Sequence, residues 1–304
     1  AHGVADDMLS TTLLATRVPV LFAPAMNTAM YEHPAVQENI TTLKRRGCLF
    51  VEPASGHLAC GDTGKGKLAD VEKIEQAILD ALTEKDMQGM HVTVTAGPTR
   101  EAMDPVRFLS NHSTGKMGYA IARSAKMRGA EVTLISGPVA LEPLDGVRMI
   151  PVTSACDMRE AVMQALPQSD LVIKAAAVGD YRPATFQDDK IKKHDDDMSV
   201  SLVRNPDILA EIGEKRRDDQ VICGFSMETR DLLENSTKKL QKKNCDVIVA
   251  NNLKVKGAGF AGDTNVVTLL YRNGKVEPLE LMEKDSVADI LLERLVALYR
   301  DKNA

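Results

Sequence analysis

The sequence predicts an α/β protein with a mainly parallel sheet, divided into two parts. Three observations predict it. Short apolar runs alternate with amphipathic stretches along nearly the whole chain, which is how buried parallel strands covered by helices on both faces read. The 304 residues are about twice the length of a typical domain, enough to bury a core without disulfides or metal. A polar stretch ending in glycine, Glu84-Lys85-Asp86-Met87-Gln88-Gly89, separates two such series and reads as a linker. It places one domain at 1–85 and a second at 86–304.

In the first series, 18–23 (VPVLFA) reads as a buried strand. Residues 33–46 read as a helix, with Val36, Ile40 and Leu43 on one face and Gly47 as its stop. A short strand follows at 48–51, then a helix at 71–83 with Ile74, Ile78 and Leu82 on one face. In the second series, strands are predicted at 91–96, 131–136, 147–152, 170–176, 220–225, 245–250 and 265–271. Helices are predicted at 116–128, 155–165, 206–217, 229–243 and 284–299. The segments 265–271 and 276–281 read as a hairpin around Asn273-Gly274. Such an arm suits a two-fold interface, so a homo-oligomer, a dimer of the second domain, is expected. The connections 97–114, 177–198 and 251–264 are long, and long loops in such folds carry binding sites.

Composition narrows the function. The 38 Lys and Arg against 43 Asp and Glu leave a net charge of −5, which argues against a general nucleic-acid partner. A hydrophobic fraction of 44% with 27% charged residues is that of a globular chain, not a disordered one. No apolar run approaches the ~18 residues of a membrane span. The five cysteines, at 48, 60, 156, 223 and 245, are odd in number, scattered and without C-x-x-C spacing. They predict neither a disulfide framework nor a zinc site, and a reducing cytoplasm is expected. No basic stretch followed by an apolar run marks a signal peptide. The chain opens on Ala1 rather than Met, so a start inside a longer protein is expected.

Four segments carry chemistry. Thr95-Ala96-Gly97-Pro98-Thr99 closes a strand, and a helix opens at Gly115-Lys116-Met117-Gly118. Free N–H groups at that helix start suit a phosphate, while a cap with a packing glycine is the plainer alternative. The second segment, Ala175-Ala176-Ala177-Val178-Gly179-Asp180, ends a central strand in small residues that admit a ligand. Asp180 there suits a base, a ribose or Mg²⁺. Lys190, Lys192 and Lys193 follow on a loop and suit a triphosphate, against the plainer reading of a solvated charge run. Third, Lys239 and Lys243 share one helix face, which without further observations is a solvated face. Fourth, Cys60 sits among Gly56, Gly61, Gly64 and Gly66, a flexible setting for a thiol that donates a proton or attacks. Cys48, Cys156, Cys223 and Cys245 lie in or beside apolar runs and read as core. His33, His112 and His194 read as surface or capping residues.

These residues also carry a resemblance. Pro24-Ala25-Met26-Asn27-Thr28-Ala29-Met30-Tyr31 resembles the substrate-recognition stretch of phosphopantothenoylcysteine decarboxylases, with Tyr31 where that family usually has Trp. The segment around Cys60 is similar to their flap. From Gly89 onward the chain resembles phosphopantothenate–cysteine ligase, through 95–101, 104–118, 175–181, 190–193, 205–209 and 224–229. The order of the two halves resembles the bacterial bifunctional family of coenzyme A biosynthesis. The resemblance implies the C-terminal half of a flavodoxin-like decarboxylase domain, followed by a Rossmann-like ligase domain with a mainly parallel sheet. It also implies that the FMN phosphate loop and a catalytic histidine lie upstream of Ala1, so that residues 1–304 alone are expected not to decarboxylate.

The implied ligase takes 4′-phosphopantothenate, cysteine and CTP, needs Mg²⁺, and works through an acyl-cytidylate. Lys190 would stabilise nucleotidyl transfer, and Asn111 and Arg107 would hold the intermediate. CTP would be bound by Lys174, Ala175, Ala176, Asp180, Lys190, Pro206, Asp207, Ile208, Leu209, Phe225, Lys239 and Lys243. Gly115 and Lys116 would meet a substrate phosphate. In the decarboxylase half, with FMN, Met26 and Asn27 would hold the substrate and Cys60 would protonate the product. Two other readings compete. A nicotinamide-dependent dehydrogenase is disfavoured by the lack of G-x-G-x-x-G and of a suitably spaced ribose-binding acid. A non-catalytic nucleotide-binding scaffold would have no need of Lys190.

Overall fold

The computed structural model describes residues 1–58, 61, 63–192, 198–228, 232–252 and 262–304. The chain forms two compact units, Ala1–Glu84 and Lys85–Ala304.

In the smaller unit, Leu21–Phe22 pairs parallel with Leu49–Phe50, and the rings of Phe22 and Phe50 stack with centroids 5.0 Å apart. The helix Pro34–Arg45 opens on a proline, where the missing N–H costs nothing, and His33 Nδ1 accepts from the N–H of Ala35. His33 is thus a cap. The strand predicted at 18–23 is only two residues long. The helix Val71–Leu82 forms, but its apolar face stays largely uncovered, with Ile78 44% and Leu82 73% exposed. A two-stranded sheet offers too little surface to cover it. The glycine segment around Cys60 is a hairpin, Ala54–His57 with Thr63–Lys67. A Cβ on Gly66 (φ +151°) would meet the backbone oxygen of Met26 at 2.2 Å, so only glycine lets this strand lie against Met26.

The larger unit is built on an eight-stranded sheet. Its strands are β1 (His91–Ala96), β2 (Glu131–Ser136), β3 (Arg148–Pro151), β4 (Leu171–Lys174), β5 (Val221–Glu228), β6 (Val247–Asn252), β7 (Val267–Tyr271) and β8 (Val276–Pro278). Its main helices are α1 (Lys116–Met127), α2 (Ala155–Ala165), α3 (Ile208–Lys215), α4 (Leu232–Lys242) and α5 (Lys284–Lys302). The spatial order is β8-β7-β6-β5-β4-β1-β2-β3. From β3 to β6 all neighbours are parallel, while β7 and β8 form the antiparallel hairpin at one edge. Alternate residues of each strand feed two cores, as the period of two requires. Leu171, Ile173, Val221 and Val247 pack on one face with Tyr119 and Ile121 of α1 and Leu291 of α5. Val172, Ile222 and Ile248 pack on the other with Met158 of α2, Ile212 of α3 and Leu240 of α4.

Two expectations about this unit change. Cys156 is exposed and not core, because the buried stripe of α2 runs through Ala155, Met158, Ala161 and Val162 and misses it. Cys48 is half-buried, whereas Cys223 and Cys245 are buried. The long connections also contain small hairpins, Arg100–Ala102 with Phe108–Ser110 and Tyr181–Pro183 with Leu202–Arg204. Among the described residues, no helix is long and apolar enough to cross a membrane.

Candidate active site

The strand order sets the place. The chain runs outward from β1 to β2 and β3, then returns to lay β4 on the other side of β1. Loops leaving the carboxyl ends of β1 and β4 therefore diverge and open a crevice, the position where open α/β sheets bind ligands. Here the two loops are stitched together. The N–H of Ala177 donates to Gly97 O at 2.9 Å. Thr95 Oγ1 accepts from the N–H of Ala176 at 3.1 Å, and Thr99 Oγ1 from that of Gly179 at 3.0 Å. Both threonines are fully buried. Asn111 Nδ2 donates to Ala177 O at 2.9 Å, and Asn205 Nδ2 to Gly179 O at 2.8 Å. The helix start follows closely. Gly115 caps α1 at φ +79°, and a Cβ on Gly118 would meet Ala96 Cβ at 2.6 Å, so α1 sits tight against β1.

Two cavities open there. One, of about 390 Å³, is lined by Lys174, Asp180, Pro206, Asp207, Ile208, Leu209, Lys239 and Lys243, among others. The other, of about 380 Å³, is lined by Asn111, Gly115, Lys116, Lys174, Ala175, Ala176, Asp180, Phe225, Lys239 and Lys284, among others. Lys174, Val178, Asp180 and Lys239 border both and form a shared wall.

The wall is cationic and partly desolvated. Lys174 Nζ donates to Ala176 O at 3.1 Å. Burial pushes its ammonium down to about 8, helped by the Lys239 charge and opposed by Asp207 and Asp180. Lys239 Nζ donates to Phe225 O at 2.9 Å. Asp207 caps α3 by accepting from the N–H of Ala210 at 3.1 Å, and it pairs with Lys243. Burial works to raise the Asp207 carboxyl, but the Lys243 and Ala210 bonds outweigh it and hold it below the usual carboxylate range. Lys284, buried at the second cavity, donates to Gly262 O, and burial and the Lys116 charge lower its ammonium. Lys116 pairs with Asp263 at 2.6 Å. Among the described residues no three His, Cys, Asp or Glu side chains cluster as a metal site.

The crevice thus brings together eleven of the twelve residues predicted for the nucleotide, with Asn111, Gly115 and Lys116, while the twelfth, Lys190, and Arg107 border neither cavity. Lys190 is exposed on the loop after the Tyr181–Pro183 strand, and Arg107 Nη2 donates to Ile191 O at 2.8 Å. In the smaller unit, Asn27 Oδ1 accepts from the N–H of Ala29 at 2.8 Å, capping the short helix Thr28–Tyr31, and the N–H of Met26 donates to Gly66 O at 2.9 Å. Cys60, Lys193, His194 and the first residues of the helix predicted at 229–243 lie outside the described residues. The sequence reading singled out the segments of Thr95, Thr99 and Asn205 without giving these three side chains a role, and it did not include Lys284. The hydroxyls flanking Gly97 were a usable signal; Lys284, at a helix start far along the chain, offered none.

Residues 87–299 match the family model of the DNA/pantothenate metabolism flavoprotein C-terminal domain, and residues 1–83 match the flavoprotein family. The chain is 51% identical to the coenzyme A biosynthesis bifunctional protein CoaBC of Bacillus subtilis, over 99% of this chain and 75% of that protein. It is 43% identical to a cysteine/cysteine sulfinic acid decarboxylase of an unknown prokaryotic organism, over 98% of this chain and 85% of that one. Among solved structures, the C-terminal domain of a coenzyme A biosynthesis bifunctional protein CoaBC superposes with a TM-score of 0.62 at 43% identity, covering 72% of this chain and all of that one.

Proposed function

The chain belongs to the family of coenzyme A biosynthesis bifunctional proteins, and from that premise we propose that residues 86–304 join 4′-phosphopantothenate to cysteine using CTP. It serves coenzyme A biosynthesis through the ligase and decarboxylase activities of that family. The observation that carries the ligase assignment is the shared wall. A reaction that activates one substrate with another needs two adjoining sites, and Lys174, Asp180 and Lys239 border both cavities.

A carboxylate is a poor acyl electrophile and must be activated before an amine can displace it. CTP occupies the cavity lined by Asp207, Lys239 and Lys243. 4′-Phosphopantothenate occupies the other, its phosphate at the start of α1 near Gly115, Lys116 and Lys284. The pantothenate carboxylate oxygen attacks the α-phosphorus across the wall, the bond to pyrophosphate breaks, and an acyl-cytidylate forms. Lys190 on its loop neutralises the departing pyrophosphate, and Asn111 and Arg107 hold the acyl group while the cysteine amine displaces CMP. Mg²⁺ would arrive on the triphosphate. Such an ion needs only one or two protein carboxylates, and Asp180 at the wall fits that part.

Residues 1–83 match a flavoprotein domain, and FMN when bound supplies the oxidation of the cysteinyl thiol that lets carbon dioxide leave. The described residues here fit the substrate end of that chemistry, not the flavin phosphate. Of its helices, Met8–Ala15 and Val71–Leu82 open on Asp7 and Asp70, carboxylates that repel a phosphate, and Thr28–Tyr31 and Pro34–Arg45 open on Asn27 and His33, whose side chains already take the N–H groups of Ala29 and Ala35. Met26 and Asn27, held against the Thr63–Lys67 strand, would contact the substrate, with Cys60 as proton donor. We assign the chain to the cytoplasm, and a two-fold assembly of the larger unit through the β7–β8 hairpin fits its position at the sheet edge.

The test is pyrophosphate release from 4′-phosphopantothenate, cysteine and Mg²⁺ with each nucleoside triphosphate in turn. Release with CTP, coupled to formation of phosphopantothenoylcysteine, is expected. No product with any nucleotide would overturn the ligase assignment.

A further inference from the structure

We infer that Asp104 is the positioning residue for Lys190, gripping the peptide unit that follows this lysine and so setting where its ammonium can reach. The inference rests on the ligase function proposed above, in which Lys190 serves nucleotidyl transfer.

Lys190 lies on a run of exposed residues, 184–190, with few anchors of its own. The next residue is held from both sides. Asp104 Oδ2 accepts from the N–H of Ile191 at 3.1 Å, across 87 positions of sequence, and Arg107 Nη2 donates to the Ile191 carbonyl at 2.8 Å. A third bond, from the N–H of Gln187 to Met103 O at 3.0 Å, ties the same two segments. The other oxygen of Asp104 accepts from the N–H groups of Val106 and Arg107, both at 2.8 Å, and so shapes the turn that presents Arg107.

The chemistry of the residue fits this task. The Asp104 side chain is fully buried, with three backbone donors converging on it. A carboxylate is acceptor-only at both oxygens and satisfies all three. An asparagine would serve the turn equally well through its one oxygen, but would aim an NH₂ group at the N–H of Ile191. A turn alone therefore does not call for aspartate; the contact to the Lys190 loop does, together with the ion pair that the same oxygen makes with Arg107 Nη1 at 3.7 Å. Arg107 shares the grip, so part of its effect on turnover passes through Lys190.

The experiment compares Asp104→Asn, Lys190→Gln and their double variant in the full chain. It reads single-turnover pyrophosphate release, cysteine attack on the formed acyl-cytidylate, and amide exchange of the peptide spanning Ile191. Losing one bond and leaving its buried donor unpaired predicts pyrophosphate release slower by about tenfold to a hundredfold in Asp104→Asn. Cysteine attack is expected to slow less than pyrophosphate release, because Asp104→Asn keeps the turn that presents Arg107 and loses only its 3.7 Å ion pair; exchange at Ile191 is expected to be faster, and pyrophosphate release in the double variant no slower than in Lys190→Gln alone. Ile191→Pro, which removes the N–H and leaves Asp104 in place, is expected to reproduce the slower release. Additive losses in the double variant, equal loss in both half-reactions, or unchanged exchange at Ile191 would overturn the inference while leaving the ligase function standing. A wild-type chain that releases no pyrophosphate with any nucleotide would instead overturn the function and this inference together.

Discussion

The two units of this chain solve the problem of holding a side chain still in opposite ways. In Lys85–Ala304, two apolar cores lie on either side of one sheet, and the site is fixed by buried threonines bonded to backbone N–H groups. In Ala1–Glu84, Tyr31, Pro53 and Ala69 are the apolar side chains buried among those described. What organises that unit is a surface network. Glu52 accepts from Lys65 at 2.8 Å, Tyr31 Oη at 3.0 Å and Lys44 at 3.1 Å, and the Lys65 bond, then the Lys44 bond, hold its carboxyl down at about 2. Exposed ion pairs contribute little net stability and are screened by salt. The difference teaches that one unit holds its polar side chains by burial and the other by exposed charge.

The sharpest test of that contrast is a matched pair of leucines. Leu134 on β2 is completely buried, whereas Leu82 is 73% exposed. Leu134→Ala is expected to cost about 2–5 kcal/mol, the range for truncating a core leucine. Leu82→Ala is expected to stay within about 0.5 kcal/mol. Urea unfolding of the two variants checks this, and similar losses would erase the distinction between the units.

Within the well-packed unit, the next largest effects concern single steps. Lys190→Gln is expected to lower acyl-cytidylate formation by about a hundredfold to a thousandfold, the effect of removing one preorganised charge-stabilising group. Asn111→Asp is expected to let the intermediate form but slow cysteine attack, because Asn111 Nδ2 donates to Ala177 O and an aspartate there faces that carbonyl with a second acceptor. Rapid-quench analysis separates the two. Equal accumulation of intermediate in both would show that the roles are not divided.

How much of this was legible in the sequence differs by scale. β1 and β2, six residues each, announced themselves because a continuous apolar run bounded by turn residues is how a buried parallel strand reads. Lys239 and Lys243 were placed on one helix face by their spacing, and they do line one cavity. That Asp207 pairs with Lys243 was not legible, because the partner lies 36 positions away. The same holds for Asp104 and Ile191. The three-residue strands around 100 and 181 escaped because so short a strand has no periodicity to read. Cys156 misled because an apolar neighbourhood in sequence says nothing about which side of a helix a residue occupies.

A smaller effect is expected from pH. The Lys174 ammonium titrates at about 8 in the folded protein, against 10.5 ordinarily. In the site proposed above it is the charged form that would bind the triphosphate, so CTP affinity is expected to fall as pH rises through 8, by up to about tenfold per unit. Stability moves the other way. The folded state holds this proton less tightly than the unfolded chain, so the penalty is full below 8 and gone above 10.5. Lys174→Met is expected to flatten both trends. Calorimetric titration with CTP and thermal melts at several pH values check the two signs, and parallel trends would rule out Lys174 as their source.

The smallest expected effect comes from removing the weakly buried unit altogether. Residues 86–304 contain both apolar cores, the stitched loops at the ends of β1 and β4, and every described residue lining the two cavities. The core side chains that set the sheet, from Met87 to Val296, all belong to this stretch. The half-buried pair of Arg128 with Asp86 at 2.5 Å lies within it as well. Excision therefore removes no group from the ligase machinery and no side chain from its core. A chain of residues 86–304 is expected to form phosphopantothenoylcysteine from 4′-phosphopantothenate, cysteine and CTP at a rate within about twofold of the full chain, the scatter ordinarily left by changes away from buried or bonded groups. Steady-state kinetics on both chains, with melts to confirm folding, decide it. A folded 86–304 that has lost ligation tenfold or more would mean that residues 1–85 reach into the ligase chemistry, and the contrast between the units would then be one of stability alone.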